Sequence, residues 1–153
     1  MNSEKLKKAL IEIVGEENIT DRLIDLVSYS YDSSEHSHRP DCAVWATTTE
    51  QVSQIMALAN ENHTPVIPRG AGTGLSGMAV PVKGGIILDM KRMNKIIKVN
   101  EISRYALVEA GTSQGMLQAH LKKHHPGLKH SAPDAPPIAT VAGNITIHGS
   151  GHL

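Results

Sequence analysis

The chain has no phenylalanine, one tryptophan and three tyrosines among its 153 residues. Its core must therefore be built from aliphatic side chains and methionine. A single cysteine, Cys42, excludes an internal disulfide and a cysteine-built metal cage, and fits a reducing compartment. There is no excess of charge either: 15 Lys and Arg balance 15 Asp and Glu, so neither a nucleic-acid partner nor an anionic membrane surface is indicated. No apolar run is long enough to span a bilayer. The opening "MNSEKLKKALIEIVGEENIT" lacks the apolar centre and small-residue cleavage site of a signal peptide. The expectation is a cytoplasmic chain without a transmembrane segment. Hydrophobic and charged fractions of 40% and 20% are ordinary for a globular domain, which argues against disorder of the whole chain.

What is present alternates between helical and strand-like patterns. Leu6, Leu10, Ile13 and Val14 recur at helical spacing, and Gly15 ends that helix. Thr20 is placed to cap a short helix carrying Leu23, Ile24 and Val27. Residues 30–42, "SYDSSEHSHRPDC" with its flanks, read as a polar connecting loop, and "AVWA" (43–46) as a short strand. "TTTEQVSQIMALANEN" opens with a capping box, Thr47 with Glu50 or Thr48 with Gln51, ahead of Val52, Ile55, Met56 and Ala59. "PVIP" (65–68) is a second strand and closes a β-α-β unit. Three more strand-length runs follow at 85–90, 95–100 and 104–111, then a helix capped by Thr112 and stopped by Pro126-Gly127. The tail is rich in proline and then in glycine. No internal repeat is present, and the class is α+β, with a small mixed sheet flanked by helices.

The stretch "VIPRGAGTGLSGMAVPVKGG", residues 66–85, holds six of the 13 glycines. Glycine loses the most backbone entropy on folding, so so dense a run is either a linker or a place where bare backbone must come close to something. Residues 72–77, G-T-G-L-S-G, match the spacing of the dinucleotide fingerprint. That fingerprint needs a helix to begin within it, and Pro81 with Gly84-Gly85 forbids one. Lys83 is not placed for a Walker loop. Two readings remain: a nest of inward-pointing amides that binds an anion, with Thr73 and Ser76 adding hydroxyl donors, or a wide hairpin joining two strands.

"PRGAGTGLSGMAVPVKGGIILDMKRMNKI" closely resembles the flavin-diphosphate loop of the PCMH-type (vanillyl-alcohol-oxidase-type) FAD-binding domain. It is similar in particular to the FAD subunit of glycolate oxidase and to D-lactate and D-2-hydroxyglutarate dehydrogenases. "YSYDSSEHSHRPDCAVWATTTEQV", "YALVEAGTSQGMLQAHLKK" and "SAPDAPPIATVAGNI" resemble the segments that flank that loop in the family, in the same order. The resemblance implies residues 1–38 as an N-terminal helical segment with its connecting loop, and residues 39–153 as the first, α/β-like part of the FAD domain, cut short at its C-terminal end. It implies FAD as cofactor, held at the diphosphate by Pro68, Arg69, Gly70, Ala71, Gly72, Thr73, Gly74, Leu75 and Ser76. Pro133 and Asp134 would lie on the approach to the flavin, with Thr140, Gly143 and Asn144 lining it. Ala142 stands where the family has a glycine, and His148, Gly149, Ser150 and Gly151 replace an N-S-G-G-like run.

The implied activity is oxidation of a small 2-hydroxy acid, glycolate or D-lactate, to the 2-oxo acid, with electrons passing to an acceptor such as a partner subunit. No residue of this chain is assigned to catalysis, because the family's catalytic and metal-binding histidines belong to a later cap. Two alternatives stand beside this one: a nonenzymatic module that completes a flavin domain with a partner chain, and an inactive truncated gene product. The remaining clusters carry less. His120 and His124 are spaced i, i+4 but are flanked by Lys122 and Lys123, and no metal site is expected. Cys42 reads as core rather than nucleophile. Lys91, Arg92, Lys95 and Lys98 read as a solvated strand face.

Overall fold

Helical spacing near the N-terminus produces α1 (Ser3–Val14), with Leu10 and Val14 buried. The computed structural model describes residues 3–131 and 133–149. A 3-10 turn, Glu16–Asn18, leads to β1 (Ile19–Thr20) and α2 (Leu23–Ser28). Then come β2 (Cys42–Trp45), α3 (Thr49–Glu61) and β3 (Val66–Arg69), the expected strand, helix and strand. β4 (Ile86–Asp89), β5 (Ile96–Asn100) and β6 (Tyr105–Val108) follow the glycine stretch, ahead of α4 (Gln114–His124) and α5 (Val141–Thr146). The class is α+β.

The chain divides into two compact units, Met1–Arg92 and Met93–Leu153. The first contains a sheet in the order β1-β2-β4-β3, with β2, β4 and β3 parallel and β1 antiparallel to β2. The crossover through α3 therefore leaves a gap one strand wide, and the glycine stretch returns the chain into it as β4. Successive side chains alternate between the faces of a strand, and the register aligns them across the sheet. Ala43, Ile87 and Ile67 share one rung; Trp45, Asp89 and Arg69 share the last rung on the same face. Leu26 and Tyr29, from α2 and its C-cap, cover that face with Ala43 and Ile87. With no phenylalanine to supply bulk, fully buried Leu10, Val44, Ile55, Ile86 and Ile87 fill the interior. Each such side chain is worth about 1.5–3 kcal/mol of burial.

The second unit contains the β5-β6 antiparallel pair, irregular between Ile96 and Lys98, and buries Met93, Leu117, Leu121 and Ala139.

Several local expectations need correction. Thr20 is not the cap of α2 but part of β1; Arg22 is the N-cap, and the Thr20 hydroxyl accepts from the Arg22 amide while donating to Asp25 at 2.7 Å. Ser113, not Thr112, caps α4 by accepting from the Met116 amide, because Thr112 is fully buried. The α3 box is half reciprocal: Thr48 accepts from the Gln51 amide, but the Gln51 carboxamide reaches back to Thr47 rather than to Thr48. The basic strand face does not form as read, since Lys91 and Arg92 lie between strands. The Lys91 ammonium stands 3.2 Å from the Asp89 carboxylate, and the Arg92 guanidinium lies 5.0 Å from the Trp45 ring centre.

Cys42 is buried at the start of β2, and burial, helped by the Asp41 and Asp21 charges, pushes its thiol up to about 12. The native protein should therefore resist a disulfide thiol reagent at pH 8 and react fully once denatured. Stoichiometric labelling of the native chain at that pH would contradict this burial.

Candidate functional site

The glycine loop leaves the C-terminal end of β3, and no helix forms between residues 70 and 85. The dinucleotide-fingerprint reading is thus excluded by geometry as well as by Pro81. Among the described residues, none of the successive backbone amides from Ala71 to Met78 finds a protein acceptor. Residues 70–74 and Gly77 are half exposed, while Leu75, Ser76 and Met78 are exposed. Backbone amides without a protein partner are left to bond water or a ligand, so this loop offers a run of free donors. Gly72 and Gly77, at φ +70 and +71, supply left-handed turns, the backbone conformation from which anion-binding nests are built. The hydroxyl-bearing Thr73 and Ser76 lie in this run, while Leu75 is 79% exposed.

The loop is fixed from behind. Arg69, the last residue of β3, is 7% exposed; its Nη2 donates to Tyr31 O at 2.7 Å and its Nη1 to Ala79 O at 3.1 Å. The guanidinium also lies over the Tyr29 ring at 5.6 Å. Tyr29 in turn donates its hydroxyl to the fully buried Asp89 carboxylate at 2.7 Å. Burial, and then that hydrogen bond to Asp89, raise the Tyr29 phenol well above its ordinary value, so it stays a donor. Burial lowers the Arg69 pKa, while Tyr29, Asp32 and Asp89 act in the opposite direction.

The polar connecting loop, read from sequence as such, packs against the glycine loop as a second wall of the candidate site. Ser33 donates its amide to Gly74 O at 3.0 Å. Asp32 is buried; its Oδ1 accepts from the Ser34 amide at 2.8 Å, and its Oδ2 is buried with no hydrogen-bond partner among the described residues. Burial alone would push the Asp32 carboxyl up. The Ser34 side chain and amide, the nearby Ala79 amide and the Arg69 charge outweigh it and hold the group below the usual carboxylate range. The available signal was the D-x-S pattern of an Asx turn at Asp32 and Ser34.

The other predicted positions lie in the second unit. Thr140 is buried and caps α5, its hydroxyl accepting from the Gly143 amide at 3.2 Å. A Cβ at Gly143 would stand 2.8 Å from that hydroxyl, which gives the glycine a reason within the chain itself. Asn144 is half-buried, and its Nδ2 is buried without a partner among the described residues. The segment before α5 is pinned to the start of α4 by Gln114 N to Ala139 O and Gly115 N to Pro137 O. Pro133 is half-buried and Asp134 exposed. Ser150 and Gly151, counted with His148 among the departures from the family, lie outside the described residues, as does His152. The His120 and His124 rings stand 4.8 Å apart, and among the described residues no group of three or more His, Cys, Asp or Glu is placed to hold a metal. No helix among them is long and apolar enough to cross a membrane.

Comparison with known proteins bears on this geometry. Residues 40–153 match the family described as FAD binding domain. The chain is 32% identical to glycolate oxidase subunit GlcD of Bacillus subtilis over 99% of its own length and 32% of that protein's. It is 35% identical to a D-lactate dehydrogenase of Anaerostipes hadrus, over 74% of the chain and 23% of that protein. The crystal structure of p-cresol methylhydroxylase with substrate bound superimposes at a TM-score of 0.84 with 33% identity, over 95% of this chain and 29% of that one. The chain thus spans about a third or less of the length of the proteins it matches.

The depressed Asp32 pKa makes a prediction about acid. A carboxyl whose folded pKa lies below its unfolded value near about 3.9 stabilises the fold above that pH and loses the contribution as pH falls through the folded pKa. Denaturant midpoints measured from pH 6 to 2, in the usual acid range, should fall more steeply for the natural chain than for Asp32→Asn. Parallel profiles would show that this carboxylate has no such role.

Proposed function

The chain belongs to the FAD binding domain family of flavin oxidoreductases, and on that footing we propose what it does. It is the dinucleotide-gripping part of an enzyme that oxidises a 2-hydroxy acid of the glycolate or D-lactate type to the 2-oxo acid. The observation that carries this reading is the run of amides in the glycine loop, Ala71 to Met78, that find no protein acceptor among the described residues. Those amides supply a ready set of donors for the FAD diphosphate between Arg69 and Ser76, with Pro68 fixing the stem where the loop leaves β3. Thr73 and Ser76 add hydroxyl donors. Recognition then relies on backbone dipoles rather than on lysine or arginine side chains. The flavin-binding part begins near residue 39, in keeping with the family match from residue 40. Residues 1–38 add the connecting loop that walls the site.

Pro133, Asp134, Thr140, Gly143 and Asn144 are assigned to the flavin ring by their resemblance to the family. The orphaned Asn144 Nδ2 suits an acceptor on a ligand. When bound, FAD supplies the two-electron acceptor for a hydride leaving the α-carbon of the hydroxy acid. The chain's part is to hold and orient. Relatives named for glycolate and D-lactate favour a 2-hydroxy acid, and electrons pass onward to an acceptor, a partner subunit in the manner of glycolate oxidase. The buried free thiol is in keeping with a reducing, cytoplasmic setting.

Titrating the 153-residue chain with FAD, followed by flavin fluorescence, should give saturable binding that inorganic diphosphate displaces. In an amide-resolved spectrum, the signals of residues 71–78 should shift most. Binding that leaves those signals in place would remove the loop from the diphosphate site, and no binding at all would show that this stretch does not hold FAD by itself.

A further inference from the structure

Arginine beside a phosphate loop is ordinarily taken as the counter-charge to the phosphate. Here its donors are committed elsewhere. Arg69 is buried, one of its two terminal nitrogens is bonded to Tyr31 O and the other to Ala79 O, and its charge is answered from within the fold by Asp32 and Asp89. We propose that Arg69 is a positioning residue: its guanidinium holds the diphosphate loop in shape from behind, touching no ligand, and Gly72 is bare in order to admit it.

The geometry supports each clause. Tyr31 belongs to the connecting loop and Ala79 to the far end of the glycine loop, so one planar fork fixes the loop's stem, its far end and its wall together. Ser33 N to Gly74 O, at 3.0 Å, clips the middle. The unpaired amides from Ala71 to Met78 arch between those fixed points. A Cβ at Gly72 would lie 2.3 Å from Arg69 Nη2 and 2.6 Å from Cζ. The end of a free arginine would swing aside from such an intrusion at little cost. This one is buried and bonded on both nitrogens, so a methyl at residue 72 would have to break those bonds, in addition to the strain of its left-handed backbone. Lysine cannot replace the fork, because its ammonium is a point charge without the planar, divergent donors.

The inference rests on the diphosphate reading above, yet it can be tested apart from it. The first arm needs no flavin: amide hydrogen exchange at Ser33 and at Ile87 in the natural chain, Arg69→Ala and Arg69→Lys. Loss of Ser33 protection in both variants, with Ile87 in the central strand still protected, is expected. Unchanged Ser33 protection would overturn the proposal whether or not FAD binds.

The second arm measures FAD affinity against ionic strength. A positioning role predicts a loss of about tenfold or more in both variants, as for broken charged hydrogen bonds, with an unchanged salt slope. A ligand-contacting arginine predicts instead that Arg69→Ala flattens the slope and that Arg69→Lys largely restores binding. The third arm is a double-variant cycle. Gly72→Ala should cost much less in the Arg69→Ala background than alone, since the space it needs has been vacated; strict additivity would refute the pairing of the two residues.

Discussion

A guanidinium taken out of water is tolerated only where its N–H groups find acceptors and its charge finds an answer. Arg69 meets both conditions, and much of the first unit is arranged around them. Tyr31 and Ala79 supply the carbonyls, Tyr29 the ring beneath, and Asp32 and Asp89 the negative charge. Each of those groups has its own dependence. Asp89 can be fully buried because the Tyr29 hydroxyl, the Lys91 amide and the Lys91 ammonium all reach it. Tyr29 is delivered by α2, whose Leu26 packs on the same sheet face. Removing one member would leave a buried charged group short of a hydrogen-bond partner, the costly direction in which to break such a network.

The strand order makes this arrangement possible. With β4 slotted between β2 and β3, the last rung reads Trp45, Asp89, Arg69, all on one face. Had β3 paired directly with β2, Arg69 would have faced Trp45 and no carboxylate. The aliphatic rungs below do the ordinary work of burial, and Ile86, Ile87 and Leu88 form a strand buried on both faces, as a central parallel strand must be. The polar rung closes the sheet at the end from which the glycine loop leaves. Core and site are thus consecutive rungs of one sheet, which is how a backbone as bare as this loop is held still.

Much of this was legible in the sequence because it depends on local pattern. Helical spacing fixed α1, α3 and α4 to within a residue or two, and β-branched runs bounded by turn residues placed β2 to β6. The glycine loop was recognisable as non-helical because Pro81 ruled out the helix that its spacing otherwise suggests, which left an anion nest or a wide hairpin. What stayed hidden depends on register and on distant partners. The inward turn of Arg69 requires knowing that Asp89 is its neighbour, and nothing local in "PVIPRG" says so. The role of Asp32 and Ser33 as a wall requires the connecting loop to fold back onto residue 74. β1 is two residues long and paired to β2, too short for any period to reveal. α5 is six residues with a glycine and an asparagine inside it, and its helical state follows from the Thr140 cap rather than from any apolar stripe.

The G-T-G-L-S-G spacing shows why a motif has to be read with its physics. In the strand-turn-helix setting, glycines clear the way for a helix end to meet a diphosphate and for helix to pack on strand. Here no helix follows, and the first glycine of the same pattern clears the way for the protein's own arginine. One face of the loop is filled by that side chain and the connecting loop. On the proposed reading the bareness serves two neighbours at once, an internal cation behind and an anion in front. An arginine placed to shape the loop does not also have to neutralise its ligand, and on that reading the positive potential offered to a diphosphate would come from oriented peptide dipoles that cannot swing away.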